Sequence, residues 1–120
     1  GYYLKPTVLA DVPEDAECML EETFAPVAPV VSFNTEEEAI EKANSTRYGL
    51  AAYAFTSDLN RTFRLAESLE AGTIGINDAV PSTSNCPFGG VKESGIGREL
   101  GSEGLDAFLE THHVSLGGVN

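Results

Sequence analysis

Basic residues are scarce in this sequence: seven Lys and Arg stand against nineteen Asp and Glu, for a formal net charge of -12. No Lys/Arg cluster is available to follow a phosphate backbone or an anionic bilayer, which excludes nucleic acid and membrane surfaces as partners. Long apolar runs are missing as well, none approaching the roughly 18 residues that a membrane-spanning helix needs. The opening "GYYLKPTVLA" lacks the charged stretch and apolar core of a secretory leader. Cysteine is rare: Cys18 and Cys86 are the two, too few and too far apart for a disulfide scaffold, so a reducing, cytoplasmic setting is expected. The first residue is not methionine, which suggests a piece of something longer. With 120 residues, 42% of them hydrophobic, the chain is expected to form one globular domain with its own core.

What is present alternates between two periodicities. Thr7 to Leu9 reads as a short strand closed by a turn at "DVPEDAE". Val27 to Phe33 is apolar and β-branched, as suits a strand buried on both faces. In "NTEEEAIEKANS", Thr35 and Glu38 form a capping box, three glutamates favour the positive end of a helix dipole, and Ala39, Ile40 and Ala43 supply one apolar face. Gly49 is expected to end that helix, and Leu50 to Phe55 to form the next strand. Ser57 or Asp58 caps a second helix, whose Leu59, Phe63, Ala66 and Leu69 fall on one packed stripe while Arg61, Arg64 and Glu67 stay solvated. Gly72 is read as its C-cap, and "TIGIN" as a third buried strand ending at Asn77. The pattern predicts an α/β fold with a parallel sheet and right-handed crossovers.

In such folds ligands gather beyond the carboxyl ends of the strands, which directs attention to the long loop "DAVPSTSNCPFGGVKESGIG". Its glycines do not form G-x-G-x-x-G and no Gly-Lys-Ser/Thr is present, so they are read as allowing close backbone packing rather than cradling phosphate. "GRELGSEGLDAFLE" predicts a helix weakened by Gly101 and Gly104. "THHVSLGG" predicts a closing strand that adds to another sheet or another subunit. His112 and His113 would face opposite ways on that strand, so no metal site is assigned.

The stretch "EETFAPV" sets Glu21 and Glu22 beside Phe24 and Pro26 at a strand entrance. Taken alone, the carboxylates read as solvated and Phe24 as core. Their company changes that reading. "EETFAPV" followed at a fixed distance by "PFGGVKESGIGRE", with a βαβ pattern between, resembles the C-terminal portion of an NAD(P)-dependent aldehyde dehydrogenase across all 120 residues. Within that family, "EETFAPVAPV" and "GINDAVPSTSNCPFGGVKESGIGRE" look most like succinate-semialdehyde dehydrogenases.

The resemblance implies that Glu22 holds the hydroxyls of the nicotinamide ribose of NAD or NADP and that Phe24 packs near the nicotinamide ring. It implies that Phe88 lines the aldehyde channel and that Ser82 helps bind the distal carboxylate of succinic semialdehyde. Residues 1–110 would be the C-terminal part of the catalytic domain of the parent chain, and 111–120 an oligomerisation strand and tail of a homo-oligomer. The family places its nucleophilic cysteine in a G-Q-x-C context and its general base in an E-L-G-G context, and this sequence contains neither. Cys18 in "ECML" and Cys86 in "NCPF" do not match, so no catalytic residue is assigned and the chain alone is not expected to oxidise aldehydes. Ala25 stands where the family usually has glycine, and Pro81 and Asn85 occupy variable positions of the substrate loop. Two rival readings are a family member acting on another aldehyde and a non-catalytic interaction module that dimerises through "THHVSLGG".

Overall fold

In the computed structural model, which describes residues 1–118, strands β1 (Thr7–Ala10) and β2 (Val27–Val30) pair in parallel, with Thr7 opposite Val27 and Ala10 opposite Val30. Their connection carries a single-turn helix, α1 (Glu17–Leu20), beyond the expected turn. The second strand was expected to continue to Phe33 but stops at Val30. Its partner runs out there, because Asp11 leaves β1 in the left-handed region at φ 52°. A strand without a neighbour has no partner for its N–H and C=O groups. Along β2 half-buried and exposed residues alternate, so the expected burial on both faces is absent.

Helix α2 (Glu36–Asn44) starts as the capping box predicts: Thr35 Oγ1 accepts from the Glu38 N–H at 3.1 Å. Glu38 Oε2 reaches back to the Asn34 N–H at 2.8 Å, one residue earlier than the usual reciprocal bond. The helix ends well before Gly49. That glycine lies buried in β3 (Tyr48–Gly49), where a Cβ would stand 2.7 Å from Val91 Cγ2. Close approach, not capping, is what requires glycine there. Strand β4 (Ala51–Ala54) follows, and then α3 (Leu59–Ser68). Asp58 is the residue that caps α3, its Oδ1 accepting from Asn60 N at 2.8 Å and Arg61 N at 3.1 Å. Strand β5 (Thr73–Ile76) returns parallel to β4, with Ala51 opposite Thr73 and Ala54 opposite Ile76. Gly72 is not the C-cap of α3, whose last residue is Ser68. It lies where a Cβ would overlap the carbonyl of Gly89.

The sheet is therefore three two-stranded pieces, two parallel and one antiparallel, the last formed by β3 and β6 (Val91–Lys92). Residues 103–108 form a 3₁₀ helix rather than an α-helix, preceded by Leu100 and Gly101 in the left-handed region at φ 62° and 57°. Residues 111–118 are exposed and pair with no strand among the described residues. A ladder forms only against a free edge, and no strand edge among the described residues meets this segment.

The expected self-contained core is absent: none of the described hydrophobic residues is fully buried. The Cα radius of gyration is 20.1 Å, against about 14 Å for a compact domain of this length. The α3 stripe shows the cause. Leu59 and Phe63 are 69% and 60% exposed, while Thr62, Leu65 and Leu69 on the adjoining face are half-buried. Nor are Arg61 and Arg64 simply solvated, since both bind Glu36 of α2. The apolar faces need another layer to cover them, and this chain does not supply it.

Candidate functional site

The loop holding Glu22 and Phe24 runs between α1 and β2 and is fastened at both ends. At its exit, Thr7 N donates to Pro26 O at 2.8 Å. At its start, Glu21 N closes α1 on Glu17 O at 2.8 Å, and the Glu21 carboxylate accepts from Arg47 Nη2 at 2.5 Å and from the Tyr48 hydroxyl at 3.2 Å. Arg47 Nη1 meanwhile donates to Glu93 Oε2 at 2.9 Å, and its guanidinium carbon lies 4.7 Å from the centre of the Tyr48 ring. The hydrogen bond to Glu21 is the main cause holding Arg47 above its ordinary pKa. Arg47 thus joins "EETF" to "KESG", two stretches that lie far apart along the chain and whose co-occurrence marked the sequence.

Glu21 and Glu22, adjacent in sequence, differ sharply in surroundings. Glu21 is engaged by two donors. Among the described residues nothing donates to the Glu22 carboxylate, which lines an open cavity of about 480 Å³ together with Glu17, Cys18, Glu21 and Thr23. Phe24, in the same loop, is 94% exposed.

The second loop is rooted at the end of β5. Asn77 takes the left-handed conformation at φ 55°, and its side chain clasps Thr56 beyond β4, accepting from Thr56 N at 2.9 Å and donating to Thr56 O at 2.7 Å. Ser82 lies exposed on this loop. At its far end Phe88, half-buried, exchanges two 2.7 Å backbone hydrogen bonds with Glu99. The polar residues of "KESGIGRE" fix backbone. Lys92 Nζ donates to Asn44 O, on the last residue of α2, at 2.8 Å and to Thr46 O at 3.2 Å, and pairs with Glu70 at 2.5 Å. Ser94 Oγ accepts from Gly49 N at 2.9 Å, and Arg98 Nη1 donates to Gly90 O at 2.9 Å. Gly90 is needed for closeness, since a Cβ there would stand 2.5 Å from Ser94 Cβ.

The structure therefore groups Glu22 with Phe24 on one loop and Ser82 with Phe88 on another. The cavity beside Glu22 is not lined by Phe24, Ser82 or Phe88. Reading the sequence missed Arg47, Tyr48, Asn77 and Lys92, all of which position these loops. Motif membership signalled Lys92, but nothing local signals Arg47, whose carboxylate partners lie 26 and 46 residues away.

Two parallel strand pairs joined by helical connections, with loops carrying a free carboxylate and an exposed aromatic ring, place the chain among α/β proteins. The profile of the aldehyde dehydrogenase family matches residues 1–114. Succinate-semialdehyde dehydrogenase of Paenarthrobacter nicotinovorans is 50% identical over 97% of this chain and 26% of its own length. The mitochondrial succinate-semialdehyde dehydrogenase of Rattus norvegicus is 47% identical over 99% of this chain and 23% of its own. Among solved structures, betaine aldehyde dehydrogenase from Staphylococcus aureus in complex with NAD+ superposes with a TM-score of 0.86 at 44% identity, covering 91% of this chain and 22% of that one. An NADP-dependent enzyme from E. coli gives 0.84 at 48% identity, covering 88% and 22%. The chain belongs to the aldehyde dehydrogenase family. It spans about a quarter of the length of the curated relatives it matches. No helix among the described residues is long and apolar enough to cross a membrane.

Proposed function

We propose that this chain acts as the C-terminal part of an aldehyde dehydrogenase that oxidises succinic semialdehyde to its acid with NAD+ or NADP+. The uncovered apolar faces of α3 and the strands support work within a longer chain that buries them. Residues 1–110 complete its catalytic domain, and 111–120 serve as a strand that pairs between subunits of a homo-oligomer. Free Cys18 and Cys86 suit a reducing compartment such as the cytoplasm.

The observation that carries the cofactor role is the contrast between the two glutamates. Glu21 is bound by Arg47 and Tyr48, which leaves Glu22 as a free carboxylate at an open cavity. A carboxylate with both oxygens free can accept from the two hydroxyls of a ribose cis-diol, and an exposed ring such as Phe24 can wall one face of a nicotinamide. These residues fit the nicotinamide end of the dinucleotide. When bound, the dinucleotide supplies the hydride acceptor. Phe88 would border the aldehyde's path, and the Ser82 hydroxyl would donate to the substrate's distal carboxylate.

The test is to measure the intact mass of the natural gene product and then assay it. A mass several times the 12.7 kDa of this chain and a higher kcat/KM for succinic semialdehyde than for an uncharged aldehyde of similar length are expected. Equal constants for the two aldehydes would overturn the substrate assignment, and a mass near 12.7 kDa would overturn the enzyme reading.

A further inference from the structure

We propose that Arg47 is a positioning residue that fixes the start of the cofactor loop against the substrate-side hairpin, and so sets where Glu22 presents its carboxylate. The inference rests on the cofactor role given above to Glu22.

Arg47 is itself held before it holds anything else. Its carbonyl accepts from Glu93 N at 3.0 Å, extending the β3–β6 pairing of Tyr48 with Lys92 and Gly49 with Val91. The same residue, Glu93, then receives Nη1 at 2.9 Å. With one side of its guanidinium committed to the hairpin, Nη2 is left to reach Glu21 at 2.5 Å and the Tyr48 hydroxyl at 2.6 Å. Tyr48 donates to the same Glu21 oxygen at 3.2 Å. A planar fork with several fixed donors can serve such a cluster, and a lysine ammonium on a flexible stem cannot reproduce its geometry.

The remaining bonds of the loop show why this contact matters. Between Glu21 and Pro26 the described internal bonds are short-range turns, Ala25 N to Thr23 O at 2.9 Å and Val27 N to Ala25 O at 2.7 Å. Longer-range attachment comes from Arg47 and Tyr48 at the start and Thr7 at the exit. Glu22 follows the first attachment directly, so releasing Glu21 frees Glu22 most, while Phe88 keeps its own backbone bridge to Glu99. The cluster is half-exposed, and its loss is read as misplacement of a loop rather than as unfolding.

The experiment uses the full-length enzyme that carries this segment and measures both the Kd for NAD+ and NADP+ by calorimetry and the steady-state constants. Arg47→Ala is expected to raise the Kd and KM for the preferred dinucleotide about fivefold, with the aldehyde KM changed less than twofold. Arg47→Lys should recover part of the loss. Glu21→Gln should raise the same constants, and the double variant should be no worse than the poorer single, because both changes break one contact. Unchanged dinucleotide constants in Arg47→Ala, or single effects that multiply in the double variant, would overturn the positioning role. Equal increases in the dinucleotide and aldehyde KM would also overturn it, as a general structural effect. Failure of the unsubstituted enzyme to bind either dinucleotide would overturn the cofactor reading and this inference with it.

Discussion

Glu36 at the start of α2 and Arg64 on α3 meet through two roughly parallel hydrogen bonds, Nε to Oε1 at 2.5 Å and Nη2 to Oε2 at 2.8 Å. Arg61 Nε adds a third at 2.8 Å. The bond from Arg64, then that from Arg61, holds the Glu36 carboxyl at about 2, below its ordinary 4.5. A carboxyl whose folded pKa is depressed stabilises the fold above its unfolded pKa, and that contribution is lost as pH falls through the window from 4.5 toward 2. In the full-length enzyme, Glu36→Gln is expected to lower the thermal midpoint at pH 6, with the gap from the unsubstituted protein closing progressively below pH 4.5. Added salt should narrow the pH 6 gap, since both arginines are about half exposed. A gap that stays constant with pH would show that the α2–α3 clamp is not electrostatic.

Gly72 makes a second prediction, concerning how the loop that carries Ser82 and Phe88 is seated. Its N–H donates to Gly49 O at 3.0 Å, and the Gly89 carbonyl occupies the space a Cβ would need. Backbone on both sides cannot yield as the end of a long side chain can, so Gly72→Ala is expected to cost about 2 kcal/mol or more. Chemical denaturation of the full-length enzyme measures this. A cost below about 0.5 kcal/mol, the range of inconsequential surface changes, would show that the two glycine segments are not packed as described.

How much of this was legible depends on the range of the forces involved. Thr35, Glu38 and Asp58 act within four residues of their own positions, and the N-caps and starts of α2 and α3 are legible in the sequence for that reason. Gly49 and Gly72 both read as helix ends, because a glycine after a helical stretch has a local explanation. Their actual reason, contact with Val91 and with Gly89, is not local. The stripe of Leu59 and Phe63 is apolar as its spacing predicts, yet exposed, since periodicity states which face seeks cover without stating whether this chain provides it. The two site loops were found through their motif residues. The side chains that join them were not, because Arg47 and Lys92 find their acceptors through the folded topology.

Glu22→Gln tests the free glutamate directly. An amide presents one acceptor oxygen where a carboxylate presents two, and its NH2 meets hydroxyl donors poorly. In the full-length enzyme kcat/KM for the dinucleotide is expected to fall about tenfold, with slower hydride transfer visible as a larger isotope effect with deuterated aldehyde. Glu21→Gln should act more weakly, because it disturbs Glu22 only through the loop. The cofactor assignment fails if Glu22→Gln leaves the steady-state constants for both substrates unchanged.

Ser82→Ala tests the proposed reading of a substrate's charge by this loop. Its hydroxyl is exposed on a loop whose root is fixed by Asn77 and whose far end is fixed by the Phe88–Glu99 bridge, so a small change at Ser82 should leave the loop in place. A hydroxyl that donates to a carboxylate contributes about 1.5 kcal/mol or more, and removing it costs roughly tenfold for the charged substrate alone. Ser82→Ala is therefore expected to lower kcat/KM for succinic semialdehyde about tenfold while leaving an uncharged aldehyde of similar length within twofold. Parallel losses on both aldehydes would mean that the loop had moved. Unchanged constants on both would mean that carboxylate recognition lies in other residues of the enzyme, since one neutral hydroxyl cannot neutralise the substrate's charge.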